Sequence, residues 1–416
     1  MADKPDFSTA WQTLSLPSFR NYMAGNIVSQ LGLWTQRIGV QWLTWSLTES
    51  PFWLGLIAAA EFFPIIVMSP LGGAMADRLH PITALKIYLA LAGAISAVIA
   101  WLTFAGLITP EILFVLVFAN SAVMGFNYPL RVAIVHRLVP RDSLTSAISL
   151  NSVGFNISRI FGPMFAGFLI AAWGVEISVS FTVFADIVFI AALFFVVLLT
   201  APEKKKQSPV SEIPKEIMEG FRYVIDHPGI SRLLLILIVG SIFGRPFTDL
   251  FAGFADVVFN MGAEGLALLT SAQGVGAAIG SVVLAGYAGI IGLTRKMVFY
   301  VLVLAIGVAG FAATDFFWIG LLMSAVTGYA LVMLGVIEQT LMQAPVPIPM
   351  RGRVASVYIA FVRGCPGIGA FLMGALAEDF GLQAPIAGGA AVCLILWIWA
   401  RRRQDKMAET LETEPP

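Results

Sequence analysis

Charged side chains stand in or beside long apolar stretches of this sequence, among them Arg37, Glu61, Arg131, Arg159, Asp186, Arg245, Asp249, Glu338 and Arg363. An ionisable group among apolar neighbours is costly wherever water is excluded, so each is paired or serves the passage of ions or charged solutes. Arg37 and Glu61 lie at nearly equal depth, about eleven and nine residues from the ends of their runs at about 1.5 Å per residue. Together they offer a proton-accepting carboxylate with a switchable counter-charge, or else a permanent structural bridge. Arg245 and Asp249 are four residues apart, which on a helix places them on one face. They either neutralise each other or meet a substrate or proton. Arg159 and Arg363 could draw in an anionic substrate, and Asp186 is a candidate partner for Arg159.

Other chemistry is sparse. His80, His136 and His227 have no second ligand at metal spacing, and Cys365 and Cys393 lie in apolar runs where a thiol serves as a small hydrophobe. A phosphate-binding G-x-x-x-x-G-K-S/T loop is missing, so ATP does not drive this chain directly. Without a cluster of nucleophile, base or metal ligands, an enzyme is a poor reading, and no cofactor is expected beyond a proton gradient.

The elements that must hold these charges follow from composition. Of 416 residues, 58% are hydrophobic and 12% charged, against roughly a quarter charged in soluble domains, and the mean hydropathy is +0.86. No globular core hides that much apolar surface, so the partner of most of it is the lipid bilayer. The formal net charge is zero, which gives nucleic acid no basic surface to bind. The opening MADKPDFSTAWQTLSLPSFR is polar and lacks the apolar core of a cleavable signal.

A spanning helix needs about 20 mostly apolar residues. Breaks at Gly, Pro and charge divide the chain into twelve such runs: 21–47, 52–76, 83–106, 110–130, 142–173, 176–200, 229–258, 264–289, 294–313, 316–343, 350–376 and 383–400. Residues 201–228 form the one extended polar segment, whose KEIMEGFRYVID has helical spacing of apolar residues. That helix either lies at the membrane face or packs on a neighbouring segment. Lys and Arg collect on alternate loops, with Glu and Asp on the others, which places both termini and the linker in the cytoplasm.

Slid by 207 residues, the sequence matches itself: Pro140 meets Pro347, Gly162 meets Gly369, Gly167 meets Gly374 and Gly174 meets Gly381. At an offset of 212, Tyr88 meets Tyr300. Two six-helix halves of like orientation, related by a pseudo-twofold axis, are the expected fold of an all-α membrane protein. The expected organisation is a cytoplasmic N-terminus (1–20), a first half (21–200), a linker (201–228), a second half (229–403) and a tail (404–416). Arg131 and Glu338 each precede an aligned proline by nine residues. They either bridge the halves as a cytoplasmic gate or are satisfied each in its own half, Arg131 by Asp77.

GGAMADRLHP (72–81) resembles the G-x-L-A-D-R-x-G-R-R/K loop of major facilitator transporters. NYPLRVAIVHRLVPRDSL is similar to the branch of drug–proton antiporters that includes enterobactin exporters and macrolide efflux proteins, and the opening from SFRNYMAGN to AAAEFFP follows it too. GPMFAG resembles the G-P-x-x-G-G antiporter signature of exporters, through Gly162, Pro163 and Gly167. The resemblance implies a latch at Gly73, Asp77 and Arg78, with Asp77 near the start of span eleven; an ordinary solvated turn is the alternative. His80-Pro81-Ile82-Thr83 departs from the usual basic run. The implied function is proton-coupled export of a bulky amphipathic small molecule by rocking of two halves in the bacterial cytoplasmic (inner) membrane, as a monomer. Proton-coupled uptake or facilitated diffusion is the alternative, and a receptor or membrane enzyme a remote one.

Overall fold

The computed structural model describes residues 7–76, 80–199, 213–287 and 289–412. They are helical throughout, with no strand among them. In chain order the helices are α1 (Phe7–Ser15), α2 (Pro17–Thr48), α3 (Pro51–Ala76), α4 (Pro81–Phe104), α5 (Pro110–Met124), α6 (Asn127–Leu138), α7 (Leu144–Trp173) and α8 (Val175–Leu193). There follow α9 (Ile213–Asp226), α10 (Pro228–Val239), the three-residue α11 (Phe251–Gly253), α12 (Gly262–Ala285), α13 (Leu293–Ala312), α14 (Phe317–Gln343), α15 (Ile348–Phe380), α16 (Gln383–Arg401) and α17 (Gln404–Leu411). Proline opens α2, α3, α4, α5 and α10, where its missing N–H costs nothing and its fixed φ suits the first turn.

Each of the twelve apolar runs falls on helix. Among the described residues nine helical segments are long and apolar enough to cross a membrane, and Pro51–Ile65 and Pro110–Met124 are shorter apolar stretches. The polar residues of α2 are turned into protein: Asn26, Ser29, Gln30 and Gln36 are all buried. Lipid could not satisfy them, so protein must.

The repeat shows in the joints. Gly174 (φ +94°) links α7 to α8 and its aligned partner Gly381 (φ +75°) closes α15, both in the region that glycine enters freely. Gly162 and its partner Gly369 play one role too. A β-carbon on Gly162 would stand 2.5 Å from Trp34 Cβ, and one on Gly369 would stand 2.3 Å from the Ile242 carbonyl oxygen.

Two compact units emerge. The first comprises Met1–Glu49, Phe63–Lys204 and Leu266–Ser271, the second Ser50–Phe62, Lys205–Gly265 and Ala272–Pro416. The expected halves are thus altered by two short exchanges. In unit 1, Gly25, Gly32 and Gly39 recur every seventh residue of α2 and meet Phe189, Ala185 and Ser178 of α8. Small residues at this spacing let two backbones approach along their length.

In unit 2, Ser50–Phe62 is held by α15. Glu378 accepts hydrogen bonds from Ser50 Oγ (2.8 Å) and the Phe52 N–H (3.2 Å), placing a carboxylate at a helix start where the dipole favours it. A β-carbon on Gly55 would stand 2.3 Å from the Ala370 carbonyl oxygen. Helix α9 packs on α15 through buried Gly220 and Val224 and an Arg353–Glu219 ion pair at 2.5 Å, while Met218 and Ile225 face outward. One face of α9 is thus covered by α15, and an apolar row at Met218, Phe221 and Ile225 stays uncovered.

Two local departures stand out. Pro246 and the glycines Gly240 and Gly244 interrupt the run at 229–258, which passes through a π-helical turn (Gly240–Gly244), a 3₁₀ turn (Pro246–Leu250), α11 and a second π-helical turn (Phe254–Val258). The tail beyond residue 403 is also structured: α17 buries Met407 and Leu411, and Glu412 accepts from the Gly292 and Thr294 N–H groups at 2.7 and 2.8 Å. Asp405 pairs with Arg295 at 3.3 Å.

His227 caps α10 by accepting the Ile230 N–H at its Nδ1, 3.2 Å away. Burial holds the imidazole below its ordinary value of 6.5. The neutral ring is the acceptor, so the cap is intact above pH 6.5 and is lost as pH falls through the lower folded value. Hydrogen exchange at Ile230 should therefore quicken on acidification in the natural chain and be fast at every pH in His227→Ala.

Candidate functional site

Unit 1 encloses a polar cluster drawn from four helices. Arg131 on α6 is buried and spends its guanidinium on three neighbours. Nε donates to Asn127 Oδ1 at 2.5 Å, Nη1 donates to Asn26 Oδ1, and Nη2 donates to Ser29 Oγ at 3.1 Å. Ser29 in turn donates to Asp186 Oδ1 at 3.1 Å, so one hydroxyl on α2 joins a cation on α6 to a carboxylate on α8. Arg131 also lies in Coulombic reach of Asp186 and in hydrogen-bonding reach of the Tyr88 hydroxyl on α4.

The surroundings extend this network. Asn26 Nδ2 donates to Asn151 Oδ1 at 2.9 Å, and Gln36 Nε2 donates to Ser96 Oγ at 2.9 Å. A cavity of about 10 Å³ lies between Ser29, Gln36, Tyr88, Asn127, Arg131 and Asp186. That is room for about one water. It can hydrate a proton and is far too small for a drug-sized solute, which needs roughly 300 Å³ or more.

Unit 2 has a matching charge pair of inverted order. Glu338 on α14 is buried in Coulombic reach of Arg245, with Tyr358 of α15 close to both. Tyr358 donates its hydroxyl to the Gly335 carbonyl at 2.8 Å. Glu338 stands where the repeat puts Arg131, so the two units carry opposite charges at equivalent positions, each met inside its own unit.

Set against the sequence, the site is partly rearranged. Within its own unit Arg131 faces Asp186, and Glu338 faces Arg245. Asp77, the partner considered for Arg131 within its own half, lies with Arg78 outside the described residues; Gly73 is described only as part of α3. Asp186, read as a partner for Arg159, instead bonds Ser29 and faces Arg131. Arg245 and Asp249 do not share a regular helix face, since Pro246 converts the backbone between them to a 3₁₀ turn. Arg245 is half-buried and Asp249 buried.

The remaining charges lie on α2, α3, α7 and α15. Arg37 is half-buried on α2 with its guanidinium 5.8 Å from the Trp34 ring centroid. It belongs to unit 1, whereas Glu61, half-buried on α3, belongs to unit 2. Arg159 is half-buried on α7 and Arg363 exposed on α15. Gly162, Pro163 and Gly167 are all buried in α7, whose close packing on α2 is sealed by a Thr35 hydroxyl donating to the Gly162 carbonyl at 3.4 Å. Asn26, Ser29 and Asn127 escaped the sequence reading, which weighed charges alone. Their signal was present: Asn26 and Ser29 are three residues apart on a helix that must hide its polar groups.

Comparison with known proteins places this geometry. A family model described as transmembrane secretion effector matches residues 8–415. The chain is 24% identical to the staphyloferrin A transporter of Staphylococcus aureus over 397 residues, covering 93% of this chain and 96% of that one. It is 23% identical to an enterobactin exporter, EntS, of Escherichia coli over 382 residues, covering 90% and 88%. Among solved structures it resembles the nucleoside transporter NupG (TM-score 0.75, 13% identity, 92% of this chain and 98% of that one). It also resembles the xylose transporter XylE of E. coli (TM-score 0.67, 14% identity, 91% and 95%).

Proposed function

We propose that this chain, which belongs to the transmembrane secretion effector family of major facilitator transporters, exports a bulky amphipathic small molecule of the siderophore kind in exchange for protons. The observation that carries the reading is similarity over nine-tenths of the chain to two siderophore transporters, one of them an exporter. The helical fold and the buried charge clusters in each unit agree with it. Intramembrane ionisable groups that face one another mark ion and proton pathways.

In this reading the protein works as a monomer in the bacterial cytoplasmic membrane, with both termini and α9 on the cytoplasmic side. The two halves rock about a central substrate site, and the proton gradient supplies the energy. Gly73, Asp77 and Arg78 serve as a cytoplasmic latch, while Arg37 with Glu61, and Arg159 with Arg363, present charge to the substrate path. Gly162, Pro163 and Gly167 pack tightly enough to keep the outer side from leaking.

The test uses purified protein in liposomes that enclose a pH-sensitive dye. With a proton gradient imposed, enterobactin, staphyloferrin A and a macrolide are added in turn. Substrate-dependent proton movement is the expected result. Substrate movement without proton movement would make the chain a facilitator and remove antiport from the proposal.

A further inference from the structure

Resting on proton-coupled export, we propose that Asp186 is the carboxylate that takes up the transported proton, with Arg131 as its fixed counter-charge and Ser29 as the hydroxyl that links the two. The geometry is specific to this trio. Ser29 Oγ donates its single proton to Asp186 Oδ1 and accepts from Arg131 Nη2, both at 3.1 Å. The neighbouring cavity is the size of one water, enough to deliver a proton and too little to admit the substrate.

Protonation reverses the donor pattern. An ionised carboxylate only accepts, whereas a carboxylic acid carries an O–H that donates. When the proton adds at Oδ1, the oxygen that accepts from Ser29, both O–H groups offer hydrogen at that contact and one must turn away. If Ser29 turns, its oxygen receives from Asp186 and Arg131 together, and its own proton points elsewhere. The tie between α2 and α8 is then remade, while Arg131 keeps its charge and its Asn26 and Asn127 partners. Uptake from water converts carboxylate to acid, and release on the opposite side restores it, so no other group changes protonation.

Asp186 shares its cavity with Gln36, Asn120, Asn127 and Thr182, none of which titrates. From α2 it meets Ser29, from α4 the Tyr88 hydroxyl, and from α6 the Arg131 guanidinium. No α7 side chain lines the cavity among the described residues. Glu61 sits in the other unit and is the rival carboxylate.

Infrared pH titration of the purified protein in liposomes reads the proton directly, with the proton itself as probe. Of the carboxylic-acid C=O bands that grow as pH falls, one should shift in Asp186→Glu, vanish in Asp186→Asn and persist in Glu61→Gln. In the dye assay above, proton flux in Asp186→Asn should fall on the order of 100-fold, while substrate counterflow, which requires folded protein but no net proton transfer, continues. If no single band is lost in Asp186→Asn, or if the band lost there is lost in Glu61→Gln as well, this inference is overturned and the export reading is left in place. Absence of proton flux in the natural chain, with substrate still moving, overturns coupling and with it the role of Asp186.

Discussion

Arg131→Leu is expected to destabilise unit 1 by about 3–5 kcal/mol, the loss seen when one partner of a buried ion pair is removed. The guanidinium serves four neighbours at once: Asn26, Ser29 and Asn127 by hydrogen bonds, and Asp186 by charge. Leucine offers none of them a donor, and Asp186 is left buried without a counter-charge. The double change Arg131→Leu with Asp186→Leu removes both charges, and buried pairs replaced together by apolar residues are often as stable as before. Thermal unfolding in detergent should therefore show a large drop in the single variant and substantial recovery in the double one. Transport should be absent from both. Equal destabilisation of single and double variants would mean that the two charges are not energetically coupled.

Gly276→Val should be the most damaging change in unit 2. A β-carbon there would stand 1.8 Å from the Ala325 carbonyl oxygen and 3.0 Å from the Tyr329 nitrogen, and one on Gly328 would stand 2.1 Å from the Gln273 carbonyl oxygen. These obstacles are backbone, which cannot rotate away, so α12 and α14 must separate along their shared stretch. Ordinary overpacking costs about 1–3 kcal/mol, and forced separation of two helices belongs at or above the top of that range. Gly335 on the same α14 has nothing within 4 Å of its would-be β-carbon. Gly335→Ala should be neutral or stabilising by about 0.5–1 kcal/mol. Yield and melting temperature of the pair provide the comparison, and similar behaviour would refute the packing argument.

The sequence exposes what is local or periodic, and this chain divides along that line. Apolar length sufficed to locate the helices because lipid contact demands it residue by residue. The repeat foretold that Gly174 and Gly381 would take up equivalent joints, since a positive φ is a property of single positions. Pairings between distant helices were less legible. Asp186 lies 55 residues from Arg131 (186 − 131), and no spacing rule announces that α6 and α8 bring them to opposite sides of Ser29. Backbone form was also hidden between Arg245 and Asp249, where Pro246 opens a 3₁₀ turn inside a run read as continuous helix. Met407 and Leu411, four apart beyond the last apolar run, were a fair signal that the tail would dock.

That docked tail bears on how the protein is made. Synthesis runs from the N-terminus, and segments generally fold as they emerge. Unit 1 draws on nothing later than Ser271, so its polar cluster can assemble while much of the chain is still being translated. Unit 2 has to wait. The N–H groups of Gly292 and Thr294 at the head of α13 acquire their acceptor only when Glu412 arrives. A ribosome that stops early, at residue 403 for instance, releases every membrane-crossing run but leaves α13 uncapped and Gly229 without Leu411. Helix α17 thereby distinguishes a chain that has reached Glu412 from one that stops before it, and gives cellular proteases a frayed α13 to recognise in the latter.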